Sequence, residues 1–521
     1  MREITDDLTK KYVENFEGNS KNKLAQNAVR KAARVATILM DPTKVRELNN
    51  VFTDRIDVKV YTTDQETSGR CWLFAVLNII RLIMIQNYKL DEDFELSQAY
   101  PFFWDQFEKA NFFLHNIIKY RKEAIDNQYN RIILKEPVSD GGQWNMVINI
   151  VNKYGLVPKN DMDETFHSSN TEQMKNFLND KLREYAVEIR AMPDSYFVND
   201  RSKLKERLHS MLYDIFKILL VFLGTPPSKV DWSFYQNIPR KKSNRKKSKS
   251  KRSKSSNKSK SKKKSKSKKK SKSKKKSKSK KGGGRKKRGR RNEKEVSRKY
   301  SKKIKKTSED EQSFALIKNI TPVEFYKNHI NYNCDDKIVL QNFPHATRPY
   351  YKKYMIKMSN NMDNENNSNY INVPIEEMMD AAQKSIKNGE AIWFGCDVDK
   401  NVHHKNGIFD TESINYEQTL DMKLDIPKGD ALYTMAGQVS HAMIIKGFNK
   451  EGKDVDKWLV ENSWGDENDH EGDYVMSTPW FKRHVYEIVI DKKYCSPKII
   501  EALKLDPIEK EIWDPFGNLL L

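Results

Sequence analysis

An α+β fold is predicted from two contrasting halves and the segment that parts them. Ahead of residue 240 the apolar residues fall in long helical stretches, of which Trp72 to Gln86 is the plainest. Beyond residue 312 they gather into short runs of strand length, Ala391 to Phe394, Ala442 to Lys446, Lys457 to Val460 and Tyr486 to Ile490. Between the halves, from Arg240 to Glu295, no aliphatic or aromatic side chain occurs.

The elements follow in order. Residues 1–64 read as an N-terminal helical extension, and Met1-Arg2-Glu3-Ile4-Thr5-Asp6 lacks the apolar core of a signal peptide, so export by that route is not expected. Residues 65–239 hold the helix over Trp72 to Gln86, introduced by the turn Ser68-Gly69, and further helices including Phe216 to Leu223. At about fifteen residues, with Arg81 inside it, the first of these is too short to cross a bilayer, and no membrane association is expected. Residues 240–312 form a basic insertion, and residues 313–495 carry the strands with a helix over Ile375 to Lys387. The tail, residues 496–521, contains Trp513-Asp514-Pro515-Phe516-Gly517 and ends at Leu521.

The insertion controls the apparent charge of the chain. Residues 240–306 carry 39 lysines and arginines against 2 acids, a surplus of 37, whereas the whole chain stands at +25; the remainder is therefore negative by 12. A segment of this kind cannot bury surface to offset its ordering entropy, so disorder is expected. A basic tether on an acidic body points to an appended device for nucleic acid or another polyanion, with Arg285-Lys286-Lys287-Arg288-Gly289-Arg290-Arg291 as a candidate nuclear-import signal. A low-complexity expansion without a partner is the plain alternative.

Four cysteines, Cys71, Cys334, Cys396 and Cys495, stand far apart without CxxC spacing, which favours free thiols in a reducing compartment over disulfides or a zinc site. His403-His404 and the acidic loop Asp466 to His470 lack metal-motif spacing and read as solvated loops, so no metal and no cofactor is expected. A lone cysteine beside Trp72 and Leu73 is ordinarily an inert core thiol. Cys71, however, opens a helix, where unpaired N–H groups favour thiolate, and Gln65 lies six positions before it. Downstream, His441 heads an apolar run, and Asn462 follows another in Glu461-Asn462-Ser463-Trp464-Gly465. A His–Asn pair on neighbouring strands fixes the imidazole tautomer and leaves one ring nitrogen for a thiol. Together these residues point to thiol-dependent acyl transfer.

On these motifs the chain resembles the papain-like cysteine peptidases, and more closely their bleomycin hydrolase branch of cytosolic aminopeptidases. The wider likeness rests on Gln65, Cys71-Trp72, His441-Ala442 and Asn462-Ser463-Trp464-Gly465. The closer one adds Phe94-Glu95-Leu96-Ser97-Gln98, Asp140-Gly141-Gly142-Gln143-Trp144, Ile320-Thr321-Pro322 and Trp513-Asp514-Pro515-Phe516-Gly517, covering the chain apart from the insertion. The resemblance implies two subdomains, helical and β-rich, with the active site between them. It implies Cys71 as nucleophile, His441 as base, Asn462 as its orienter, Gln65 as oxyanion donor and Trp464 as a shield. It further implies Gly141 and Gly142 along the substrate, and a C-terminal arm that enters the cleft and offers the Leu521 carboxylate to a substrate's α-amino group. Peptides with free N-termini as substrates, a homohexamer and a cytoplasmic location, with nuclear entry open through the basic run, complete the expectation. Two other readings remain: a polyanion-binding protein on a catalytically silent scaffold, against which the intact Gln, Cys, His and Asn set argues, and an acyltransferase using the same thiol.

Overall fold

The computed structural model describes residues 3–32, 34–238, 311–364 and 366–517. It divides into two compact units, one of Met1–Gln236 with Phe314–Leu521 and one of Asn237–Ser313. The second lies almost wholly outside the described residues, and the first carries the architecture.

Helices fill the front of that unit. After α1 (Asp6–Gly18) and α2 (Ser20–Val29), neither of which has a buried residue, come α3 (Cys71–Tyr88), α4 (Ala99–Tyr120), α5 (Trp144–Tyr154), α6 (Glu172–Ala191) and α7 (Arg201–Leu223). The helix expected over Trp72 to Gln86 runs 18 residues, long and apolar enough by composition to cross a membrane. Its side chains nevertheless pack inside the protein from Trp72 to Ile85, as befits a helix that is apolar all round.

Arg81, which breaks that helix's apolar run, is buried and paired. Its guanidinium donates to the Tyr61 carbonyl at 2.8 Å and to Glu461 at 2.7 Å. Lys446 reaches the other oxygen of Glu461 at 3.0 Å. These two cations hold Glu461 below the usual carboxylate range against the opposing effect of burial. The cluster ties the core helix to the sheet one residue before Asn462. Removing one member would leave an uncompensated buried charge, which costs about 3–5 kcal/mol.

The sheet is the second layer. Among the described residues it has 12 strands, and its central part runs β3–β1–β8–β4–β5–β6–β7, where β1 is Lys337–Gln341, β3 Asn369–Asn372, β4 Ile392–Cys396, β5 His441–Glu451, β6 Asp454–Glu461, β7 Asp473–Ser477 and β8 Val485–Asp491. β2 (Lys352–Ile356) and β9 (Ile508–Lys510) extend one edge. All four runs read as strands are strands, and α8 covers Ile375–Lys387 as expected. α3 packs across β5, and this contact sets where the site forms.

Three local expectations change. The N-terminal segment is helical only as far as Glu47; beyond it Ile56, Val58 and Val60 alternate with charged residues, a period of two, and the chain runs extended, with Asp54–Arg55 pairing on β5. His403 is not in a solvated loop: it lies buried in a short strand, with Nε2 3.2 Å from Ser413 Oγ. The tail is more than an arm, since Pro497–Leu503 is helical and β9 pairs in parallel with β2 before the chain reaches Trp513.

Candidate active site

The turn that presents Cys71 is pinned from two sides. Asp140 accepts the Gly69 N–H at 3.1 Å through its carboxylate and the Trp72 indole N–H at 2.8 Å through its carbonyl. A Cβ on Gly142 would lie 2.5 Å from the Trp72 ring, and one on Gly69 2.8 Å from Asp140 Cβ, so both positions need glycine for close approach. The resulting α3 starts at Cys71 itself, with the thiol at the positive end of the helix and partly open to a cleft.

His441 arrives from the sheet. β5 begins at His441 and pairs antiparallel with β4, placing His441 opposite Cys396 and Ala442 opposite Gly395. On its other side β5 pairs with β6, Ile444 opposite Glu461, so Asn462 leaves β6 beside the start of β5. There His441 Nε2 donates to Asn462 Oδ1 at 2.8 Å. Trp464 lies over the imidazole, with ring centroids 4.7 Å apart and planes 29° from parallel. Asn462 Oδ1 also accepts the Ser463 N–H at 2.8 Å, which holds the amide in this orientation.

Gln65 is fixed by the same loop. Its Oε1 accepts from Ser463 Oγ at 2.7 Å and its Nε2 donates to the Ser68 carbonyl at 2.6 Å. Gln65, Cys71, His441, Trp464, Gly141 and Gly142 line one cleft of about 430 Å³. Asn462 is buried behind it, while Leu521 lies outside the described residues. The arm can be followed to Gly517: the Phe516 carbonyl accepts from Gln143 Nε2 at 2.7 Å, one residue beyond Gly142.

Burial works against charge at both reactive groups. It pushes the Cys71 thiol up to about 11, opposed by the backbone N–H groups of Ala442, Trp72 and Cys71. It takes His441 down to about 4, opposed by the bond to Asn462. The hydrogen bonds thus favour the charged forms that burial resists.

A pH dependence of stability follows. His484, also buried, is held down to about 3, chiefly by burial and then by the cations Arg483, Lys428 and Lys400. In the unfolded chain both histidines accept a proton near the ordinary value of 6.5, whereas the folded protein declines it until about 4 and about 3. The unfolded state therefore binds more protons in acid. The contribution is complete above pH 6.5 and lost progressively as pH falls toward 3. Thermal unfolding at stepped pH is expected to show a shallower acid fall in His484→Gln than in the parent; parallel curves would assign the loss to other groups.

Three residues at this site carry no role in the sequence reading. Asp140 and Ser463 sit inside quoted motifs, and their partners, Gly69 and Gln65, become visible only in three dimensions. Glu487 also lines the cleft, and its signal was a single acid inside the apolar strand Tyr486 to Ile490.

The model of the Peptidase C1-like family matches residues 3–258 and 302–517. The chain is 32% identical over 504 residues to a bleomycin hydrolase from Gallus gallus, covering 94% of each chain. It is 30% identical over 512 residues to aminopeptidase G from Lactobacillus delbrueckii subsp. lactis, covering 98% of this chain and 99% of that one. The crystal structure of PepW from Lactobacillus rhamnosis HN001 superposes with a TM-score of 0.80 at 28% identity, over 99% of both chains. With a cysteine at the head of the core helix, a His–Asn pair on the facing strands and likeness along nearly its whole length, the chain belongs to the Peptidase C1-like family and is a cysteine peptidase of the aminopeptidase kind.

Proposed function

We propose that the protein hydrolyses the amide bond after a free N-terminal residue through an acyl-enzyme on Cys71. The observation that carries this reading is the His441–Asn462 bond of 2.8 Å beneath Trp464, in a cleft shared with a thiol at a helix start. With Nε2 committed to Asn462, Nδ1 is the nitrogen left to take the thiol proton. The sulfur then adds to the carbonyl carbon, and the imidazolium returns its proton to the amine as the C–N bond breaks. Water, deprotonated by the same histidine, completes the cycle by opening the thioester. The Gln65 amide, its second N–H unengaged by Ser68, and the Cys71 backbone N–H would bond the oxyanion, an interaction worth about 3 kcal/mol per donor in comparable sites. Gly141 and Gly142 would lie along the substrate.

Restriction to free N-termini is supported by the arm held beside Gly142 and by relatives that bear the name aminopeptidase. Aminoacyl fluorogenic amides, free or acetylated at the N-terminus, offered to the parent and to Cys71→Ala, test the reading. Turnover is expected for the free substrate with the parent alone. Equal use of both substrates would reject the aminopeptidase assignment, and turnover by the variant would reject the nucleophile.

Residues 240–306 lie outside the described residues. From their composition we infer a polyanion-binding role, with RNA as the probe. Filter binding of RNA is expected to weaken steeply between 50 and 200 mM salt, because neutralised phosphates release counterions, by about 10³-fold or more for six contacts. Deletion of residues 241–305 is expected to abolish that binding without loss of peptidase activity. Unchanged salt-sensitive binding would place it elsewhere.

A further inference from the structure

The cleft carries one accessible charge that the chemistry above does not use. Its lining acids are Asp399 and Glu487, and no lysine or arginine among the described residues lines it with them. Glu487 is buried and accepts from Gln341 Nε2 at 2.9 Å. Asp399 is exposed, and among the described residues its carboxylate has neither a hydrogen bond nor an ion pair.

The backbone on both sides of Asp399 is nevertheless fixed. Where β4 ends at Cys396, the chain stays beside the residue that precedes His441. The Ser440 N–H donates to the Cys396 carbonyl at 2.9 Å, and Ser440 Oγ accepts the Val398 N–H at 3.2 Å. On the other side the Lys400 carbonyl accepts from the Trp480 indole N–H at 2.8 Å. A pinned loop thus presents a free carboxylate next to the head of β5. The nearest cations do not compete for it: the Lys400 charge falls on Asp397 and His484, and Arg34, which acts on His404, does not line the cleft.

The reaction decides which part of a substrate meets this carboxylate. His441 returns its proton to the leaving amine, so the residue that owns that amine, the second of the substrate, lies on the imidazole side of the sulfur. That side is walled by Trp464, 4.7 Å from His441 between ring centroids, and by His404, 5.3 Å from Trp464. Burial lowers both His441 and His404, and the negative charge of Asp399 is among the influences that oppose it in each. Asp399 therefore faces the second residue, while the first lies toward Gly142 and the arm. A cationic side chain there meets an anion that nothing else occupies, and an acidic one is repelled.

We propose that Asp399 selects peptides whose second residue is lysine or arginine, accepting a hydrogen bond from the side-chain cation. This selection presupposes the peptidase reading above and adds a substrate class to it. No covalent bond is made or broken at Asp399.

The experiment uses full-length protein, parent and Asp399→Asn, with leucyl-lysinamide and leucyl-norleucinamide, which differ only by the ammonium group. In the parent, kcat/KM is expected to favour the lysyl substrate about fivefold, the upper range for an exposed ion pair, and the ratio is expected to fall to about one in Asp399→Asn. Asp399→Lys is expected to reverse the selection, favouring the amide of leucyl-glutamate over leucyl-glutaminamide. A parental ratio of one, or a ratio that the asparagine variant leaves unchanged because both substrates slow alike, would overturn the assignment; the second result is what an effect on His441 alone would give. Lysyl-norleucinamide, with the cation in first place, separates the two positions, and a loss confined to it would also overturn the assignment. Failure of the underlying reading is distinct, because it appears as turnover by Cys71→Ala.

Discussion

Replacing Cys71 by alanine is expected to lower kcat/KM on a free aminoacyl amide by about 10⁵-fold, since nucleophile and base act as one unit and loss of either removes the covalent route. What remains is catalysis by binding and by the oxyanion donors. KM is expected to change little, because the sulfur makes no ground-state bond to the substrate. The fold should tolerate the change: alanine is the best helix former, and Cys71 is the first residue of α3, with no side-chain cap to lose. Steady-state kinetics with active-site titration by iodoacetamide checks both statements. A drop of less than about tenfold would move the nucleophile elsewhere. Cys334 and Cys396 are poor replacements, since both are buried and burial holds their thiols well up.

Arg348→Ala is expected to destabilise the protein by about 3–5 kcal/mol and to release the arm from its seat on Gln143. Arg348 and Asp514 form a buried ion pair, and the guanidinium also donates to the Tyr370 hydroxyl at 3.0 Å and packs over the rings of Phe343 and Tyr354. Asp514 begins the turn that carries Phe516 into a pocket with Phe343, Tyr370 and Val439, of which Val439 lines the cleft. Without the arginine, Asp514 is an unpaired buried carboxylate, and the segment relaxes by leaving. Denaturant midpoints measure the first effect. The second is a rise in the ratio of acetylated to free substrate hydrolysed, as the end of the cleft opens. Removing Asp514 as well, in Arg348→Ala with Asp514→Ala, is expected to recover part of the stability but none of the selectivity. A variant that loses stability while keeping its preference for free amines would separate the arm from specificity.

Much of the site was legible because its parts announce themselves locally. A Ser-Gly turn before an apolar run reads as a helix start, and the strand holding His441 and the segment ending in Asn462 each stand out as short apolar runs. What escaped were pairings across long stretches of chain. Gln65 meets Ser463, Arg81 meets Glu461 and Arg348 meets Asp514, and none of these neighbours shares a local pattern with its partner.

The sequence by itself determined the α+β class, the helix that bears Cys71, the strands that carry His441 and lead to Asn462, and the separation of a basic run from an acidic body. Periodicity, turn chemistry and charge are properties of contiguous residues and survive without coordinates. The tertiary structure decided the rest: that the amide oxygen of Asn462 holds the imidazole, that Ser463 holds Gln65, and where the arm is clamped. Those depend on the register between β4, β5, β6 and β8, and a shift of one residue in any of them would turn the side chain to the opposite face.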